Sequence, residues 1–393
     1  MRRAGVMLLL LAAACHSNDS VGPPIVPGKV VLAATVPVVP NYGIHDTYIR
    51  DGIAMVCVWN SGLLIYDVGN GIKGGTPNKP VLVGSVVPSA DGIGAGPEIH
   101  NAWWFWNPTN GQKKYLFLGQ EGPGKVGSQS SGDIHVIDVS DLTNPTEVGF
   151  FHLAGSGTHN FWMDEAHQIL YAAYYDAGVV SIDVSGTLSG DISSRLIAQT
   201  APGTTGDTTY TWGVQLYHGS LYAIDMLSGL TQLSTDSTGA LARVAGSDNV
   251  ETRFSSDLSV DTLAGYVYTG TWDHQQRTGL AGSVVYVWSL SASGSPTQVN
   301  SITTAQVGAV SDVKVSPDGK LLMFTTENGP NSGFYFYSLA DPAAPSFLAY
   351  YQTGSEGIHT GKWAEIGGHL YAFGAKNPSN PALIILDVTG LDN

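Results

Sequence analysis

The sequence predicts an all-β fold, a seven-bladed β-propeller closed by an N-terminal strand. Three observations predict it. A short pattern recurs, in which a glycine is followed by alternating apolar residues and then Asp-Val: Gly62-Leu-Leu-Ile-Tyr-Asp67-Val68, Ile134-His-Val-Ile-Asp138-Val139, Gly178-Val-Val-Ser-Ile-Asp183-Val184 and Leu383-Ile-Ile-Leu-Asp387-Val388, with looser copies beginning at Gly229, Gly282 and Gly333. The copies recur every 45 to 55 residues, roughly, with one longer step of about 70, the spacing of propeller blades rather than of separate small domains. Composition agrees: charged residues make up only 12% of the 393, glycine and aromatics are plentiful, and no stretch sustains a 3.6-residue apolar period.

In chain order, residues 1–15 read as a secretory signal. Arg2 and Arg3 give a positive start, Val6 to Leu11 an apolar run too short to span a bilayer, and Ala12-Ala13-Ala14 precede Cys15. A cysteine directly after small residues resembles a bacterial lipobox, which implies that Cys15 becomes the acylated N-terminus and anchors the protein to a membrane, the outer membrane or a periplasm-facing one. Leu11 stands four residues before Cys15, where lipoboxes usually carry leucine three before, so an ordinary signal peptide with an incidental cysteine stays open. Residues 16–28 are polar and then Pro/Gly-rich, a tether. Residues 29–393 form the propeller.

The expected blades span residues 42–88, 98–153, 157–200, 209–246, 253–304, 307–353 and 356–390. The last repeat ends without the outer strand that others have after Asp-Val, as in Pro80 to Val87. The unassigned run 29–36 (Lys-Val-Val-Leu-Ala-Ala-Thr-Val) has the composition of that missing strand, and pairing it with the last blade removes two open sheet edges. Cys57, within an apolar strand, is the one cysteine besides Cys15, so packing alone must hold the fold. A net charge of −15 argues against nucleic acid as a partner.

Gly132-Asp-Ile-His-Val-Ile-Asp-Val-Ser-Asp-Leu-Thr-Asn-Pro145 resembles the LVIVD repeat of bacterial propeller proteins, and Asp341-Pro-Ala-Ala-Pro345 is similar to its turn half. The resemblance implies a propeller outside the cytoplasm and implies little about function. Asp67, Asp138, Asp183 and Asp387 have a structural explanation, an Asx turn at the strand end.

The functional signal lies at the start of each blade. Aligning the repeats places His45, His100, His159 and His359 in one slot, with Trp212, Asp257 and Asp312 in the same slot of the other blades. These histidines belong to the contiguous blades 7, 1, 2 and 3, and first strands line the axial channel, so a half-circle of imidazoles is expected at its mouth. Second strands return to that face, ending near Asn60, Glu121, Asp176, Asp225, Asp273, Glu327 and Lys376. A cup of imidazoles and carboxylates suits a divalent metal ion or a polar small-molecule ligand. The architectural analogy is a propeller oxygenase family with four axial histidines around a metal. Histidines that bond within their own blade are the competing reading. Trp272, beside Asp273 and His274, either closes its blade or offers a ring-stacking surface, whereas Trp103 to Trp106 reads mostly as packing between blades. The Gly/Ser-rich insertion 119–132 lies on the same face as the histidines, either as a flap over the cup or as a plain disordered loop.

No nucleophile elbow, His-Glu-x-x-His helix, Walker loop or dinucleotide fingerprint is present. The sequence therefore favours a membrane-anchored, non-catalytic scaffold that binds a protein or a polar ligand. The alternative is a metal-dependent hydrolase or oxidoreductase working in the His/carboxylate cup.

Overall fold

The computed structural model describes residues 29–38, 43–89, 97–122, 124–125, 129–203, 209–246, 253–272, 280–290, 296–376 and 380–391. The expected signal, Cys15 and the tether lie outside these residues, as do Asp273 and His274.

Alternating apolar residues at period two pair into seven antiparallel blades. Blade 1 runs outward from Ile44–Arg50 through Ile53–Val58 and Gly62–Asp67 to Val81–Val86. Blades 2 to 6 repeat the order, starting on the axis with Ile99–Trp104, Phe161–Asp164, Thr211–Tyr217, Phe254–Asp261 and Ala309–Val315. Blade 2 also takes a short parallel fifth strand, Gly190–Asp191. Blade 7 contributes Ile358–Ile366, His369–Lys376 and Ala382–Asp387, and its outer strand is the N-terminal Val31–Pro37. The register runs Val31 to Asp387 and Pro37 to Ala382, with one bulge between Leu32 and Ala34. The closing strand thus sits within a residue or two of its expected place, 29–36. First strands of successive blades contact one another around the ring, including those of blades 7 and 1.

Each blade is apolar on both faces and gains its core from its neighbours. Val56 and Tyr66 of blade 1 pack with Phe373 and Ile385 of blade 7, and Met55 and Ile65 on the other face pack with Leu116 and Leu118 of blade 2. Cys57 is a buried free thiol in that core. The glycine of the repeat has a steric reason. Gly62, Gly178 and Gly333 all have positive φ, and a Cβ there would lie 2.3, 2.4 and 2.1 Å from a carbonyl oxygen of the outer strand.

The recurrent aspartates cap strand ends as expected. The Asp138, Asp183 and Asp387 carboxylates accept from the amides of Ser140, Ser185 and Thr389 at 2.9, 2.8 and 3.0 Å. Asp67 goes further. Its Oδ1 accepts from Gly69, Asn70 and Gly71, and its Oδ2 from Lys73 and Gly75, at 2.8–3.1 Å. Burial alone would raise this carboxyl; the amides outweigh it and hold it at about 2. Because the folded value lies below the unfolded one, the resulting stabilisation is present above about pH 4 and is lost as pH falls through about 2. Asp67→Ala is expected to cost about 2 kcal/mol at neutral pH. Urea unfolding at pH 7 and pH 3 checks this: the gap between wild type and variant should narrow at pH 3.

Candidate functional site

A β-bulge at the start of the first strand builds the site. The register skips between Ile44 and Asp46 in blade 1 and between Ile99 and Asn101 in blade 2, so His45 and His100 are the extra residues. A bulged residue escapes the in-out alternation of the strand and can be turned toward the axis. Trp212 is the bulged residue of blade 4, and His359 lies within the bulge of blade 7. In blade 3, the His159 amide donates to the Ala173 carbonyl at 2.8 Å just before the paired strand begins.

The four histidines converge as the sequence predicts. Ring centroids lie 4.5 Å apart for His45–His100, 4.2 Å for His45–His359 and 3.9 Å for His100–His159. Trp59 meets His45 edge-on at 4.4 Å, Trp212 stacks on His159 at 4.8 Å, and Trp272 meets His359 at 5.8 Å. This aromatic wall excludes water: His100 is 0% exposed and His159 5%. Burial pushes the His45 and His100 imidazoles well below their usual value and brings His159 to about 4, favouring neutral rings with free lone pairs.

The partners of the rings differ. His159 Nδ1 bonds the Trp212 carbonyl at 2.7 Å. His359 Nδ1 bonds Glu327 Oε2 at 3.0 Å; burial lowers this ring, but the Glu327 charge and hydrogen bond, with Glu121 and Asp312, together outweigh burial and raise it. His45 Nε2 sits 3.2 Å from Glu121 Oε2. Among the described residues, neither nitrogen of His100 has a hydrogen-bond partner, its Nε2 standing 3.9 Å from Glu121 Oε2. An unpaired buried polar atom costs about 1–3 kcal/mol, so a fully buried ring with two of them is poised for a partner beyond the described residues. His45, His100 and His359 each offer a nitrogen, all three within 4.8 Å of one another.

Of the expected carboxylates among the described residues, two reach the histidines. Glu121 is 3% exposed, its carboxyl pushed up by burial, and its Oε1 accepts from the Tyr175 hydroxyl. Glu327 holds His359. Asp225 lies on the same face but is spent on the backbone, accepting from the amides of Tyr210, Leu227 and Ser228 at 2.6, 2.9 and 2.9 Å. Asp176 stands near Asp225 and outside the imidazole cluster, its carboxyl raised by burial and then by Asp225. The described ends of the 119–132 insertion form a small ribbon, Gly124–Lys125 with Gln129–Ser130, and Ser130 donates to the Glu121 carbonyl at its base.

The register also corrects the alignment of blades 5 and 6. Asp312 pairs with Thr325 just after its bulge, as Asp46 does with Cys57, so the residue in the histidine position of blade 6 is Ser311. Asp257 lies within the two-residue bulge of blade 5. Both aspartates belong to the channel below the imidazoles. There Lys314 Nζ bridges Asp257, at 2.5 Å, and Asp312, while Lys362 stands 3.7 Å from Asp46. Burial opposes ionisation of Asp257, but the ammonium outweighs it and holds its carboxyl low; Asp312 is pushed up by burial and by Asp257 across the lysine. Asp46, Asp257, Lys314 and Lys362 border a cavity of about 350 Å³ that reaches the turns at the far ends of the first strands, with Tyr48, Trp103, Trp162 and Trp363 in its wall. At that far end Arg50 grips Glu165 through two bonds of 2.5 and 3.0 Å.

Several of these residues carry no sequence signal of their own. Trp59, Tyr175 and Glu98 lie at strand ends or in loops; Glu98, beside Glu121, has a buried carboxylate oxygen without a partner among the described residues. The channel lysines do have one: Asp312-Val-Lys314 alternates at period two, which puts an acid and a base on one face inside an apolar strand.

No family model matches the sequence, and no curated protein matches it. Solved structures do. A chain of the mitotic checkpoint complex superposes with a TM-score of 0.61 at 12% identity, covering 98% of each chain. The WD40 β-propeller domain of Doa1 gives 0.61 at 10% identity over 91% of this chain and 97% of that one. The β-propeller domain of Cps50 (Swd1) from Myceliophteria thermophila gives 0.58 at 10% identity over 91% and 99%. At such identities the likeness is one of fold alone: the chain is a seven-bladed β-propeller.

Proposed function

We propose that the protein is an extracytoplasmic, lipid-anchored binding protein whose ligand site is the imidazole cluster on the propeller axis. One observation carries the reading. His100 is fully buried, yet both its ring nitrogens lack a hydrogen-bond partner among the described residues. Histidines that served only the packing of the ring would be bonded to neighbouring backbone, as His159 of blade 3 is to the Trp212 carbonyl of blade 4. A bound ligand that accepts from or donates to His100 accounts for the orphaned atoms. The 350 Å³ cavity below gives room for a polar small molecule on the same axis. The net charge of −15 speaks against nucleic acid. A protein partner on the rim is the second reading, favoured by the similarity to a chain found within a multiprotein complex.

Native mass spectrometry of protein purified gently from its own membrane tests the site. The wild type is expected to carry an additional bound species that His100→Phe lacks; equal masses after subtracting the substitution would contradict the reading. Anchoring rests on the apolar run ending at Cys15. Cys15→Ser is expected to move the protein from the membrane pellet to the soluble fraction, and a variant that still pellets with membranes would refute the anchor.

A further inference from the structure

We infer that the occupant of this site is a divalent transition-metal ion held by His45, His100 and His359. The inference rests on the axial binding site proposed above and names its ligand. Three nitrogens within 4.8 Å of one another are close to a ligand set. A tetrahedral ion with bonds of about 2.0–2.1 Å needs its nitrogens about 3.4 Å apart, so each must move inward by roughly 0.8 Å or less. Side-chain rotation supplies that, with His45 turning out of its stack on His359.

The surroundings fit a metal better than a hydrogen-bonded organic ligand. Glu327 bonds His359 through Nδ1, which directs Nε2 to the axis; a carboxylate behind a ligating imidazole is the usual way such a ring is fixed. Among the described residues, His100 has no competing bond on either nitrogen. Glu121 Oε2 lies 3.2 Å from His45 Nε2 and 3.9 Å from His100 Nε2, a negative charge placed to balance the cation beside the three nitrogens. Its other oxygen is fixed by Tyr175. His159 takes no part, because Trp212 holds its Nδ1 and covers its face. The donor set selects the ion. Imidazole nitrogen suits zinc, copper, nickel and cobalt, whereas calcium and magnesium demand oxygen ligands. The trio is therefore narrower than the four-histidine set expected from the sequence.

The test uses the mature protein stripped by a chelator and titrated calorimetrically with zinc, with calcium as the control ion and cobalt as a visible-absorption probe. One zinc per chain is expected, no calcium, and a cobalt spectrum of tetrahedral intensity. His100→Phe should weaken zinc binding at least 100-fold, while His159→Phe should leave it within a few-fold. His100→Phe removes two unpaired polar atoms, so the metal-free variant should melt no lower than the wild type. Should it fail to fold, His45→Gln, at the least buried of the three rings, carries the same expectation. Absence of stoichiometric zinc, cobalt, nickel or copper overturns the inference, as does undiminished zinc binding by a folded His100 or His45 variant. If no metal binds but His100→Phe still loses a co-purifying species, the metal assignment fails and the axial site stands; if neither changes, both fail.

Discussion

Removing residues 29–37, so that the tether joins the chain at Val38, lowers stability by about 4 kcal/mol. The closing strand makes the outer ladder of blade 7, from Val31–Asp387 to Pro37–Ala382. Several net hydrogen bonds of about 1 kcal/mol each are lost with it. Ala33, Ala34 and Val36 pack against the core shared by blades 7 and 1, so their burial is lost as well. The deletion also leaves the Ala382–Asp387 strand as an open edge, prone to pairing with another molecule. Urea unfolding should show a lower midpoint, and light scattering should show association. An unchanged midpoint would mean that the ring is held without this strand.

Lys314→Met is the point substitution with the largest expected effect. The ammonium sits between Asp257 and Asp312, exposed 6% and 2%, and also donates to the Val313 carbonyl at 3.1 Å. Methionine keeps the length of the side chain and removes the charge, leaving two buried carboxyls facing each other. Breaking a buried pair by removing one partner costs about 3–5 kcal/mol. The sign with pH follows from the raised Asp312 carboxyl. Its folded value lies above the unfolded one, so its ionisation opposes folding more strongly as pH rises. Without the lysine that opposition grows. The variant should therefore lose more stability, relative to wild type, at pH 8 than at pH 5. Unfolding curves at the two values decide it, and an equal loss at both would place the lysine outside the electrostatic balance.

The architecture was legible because it rests on local chemistry repeated seven times. The glycine that must admit a neighbouring carbonyl and the aspartate that caps a strand appear as residues in the sequence, whatever the tertiary context. Lys29 to Val36 was legible as a strand without a blade. The convergence of His45, His100, His159 and His359 was legible because a common slot in a ring implies a common face. Three things were not. A bulge adds a residue to the first strand without disturbing the period-two pattern around it, so Asp312 aligned with the histidines although its register matches Asp46. A carboxylate that turns back onto its own backbone, as Asp225 does, looks in sequence the same as Glu121, which reaches across to another blade. And the difference between His159 and His100 lies in whether a neighbouring carbonyl happens to meet the ring, which only the packed channel decides.

The measurement that bears most directly on the axial metal centre is anomalous diffraction from crystals grown with zinc, recorded on both sides of the zinc absorption edge. One strong peak is expected on the propeller axis, about 2.0–2.2 Å from a nitrogen of each of His45, His100 and His359, with Glu327 still bonded behind His359. A map without density on the axis, in which the His100 nitrogens are bonded to backbone or ordered water of their own blade, would contradict it.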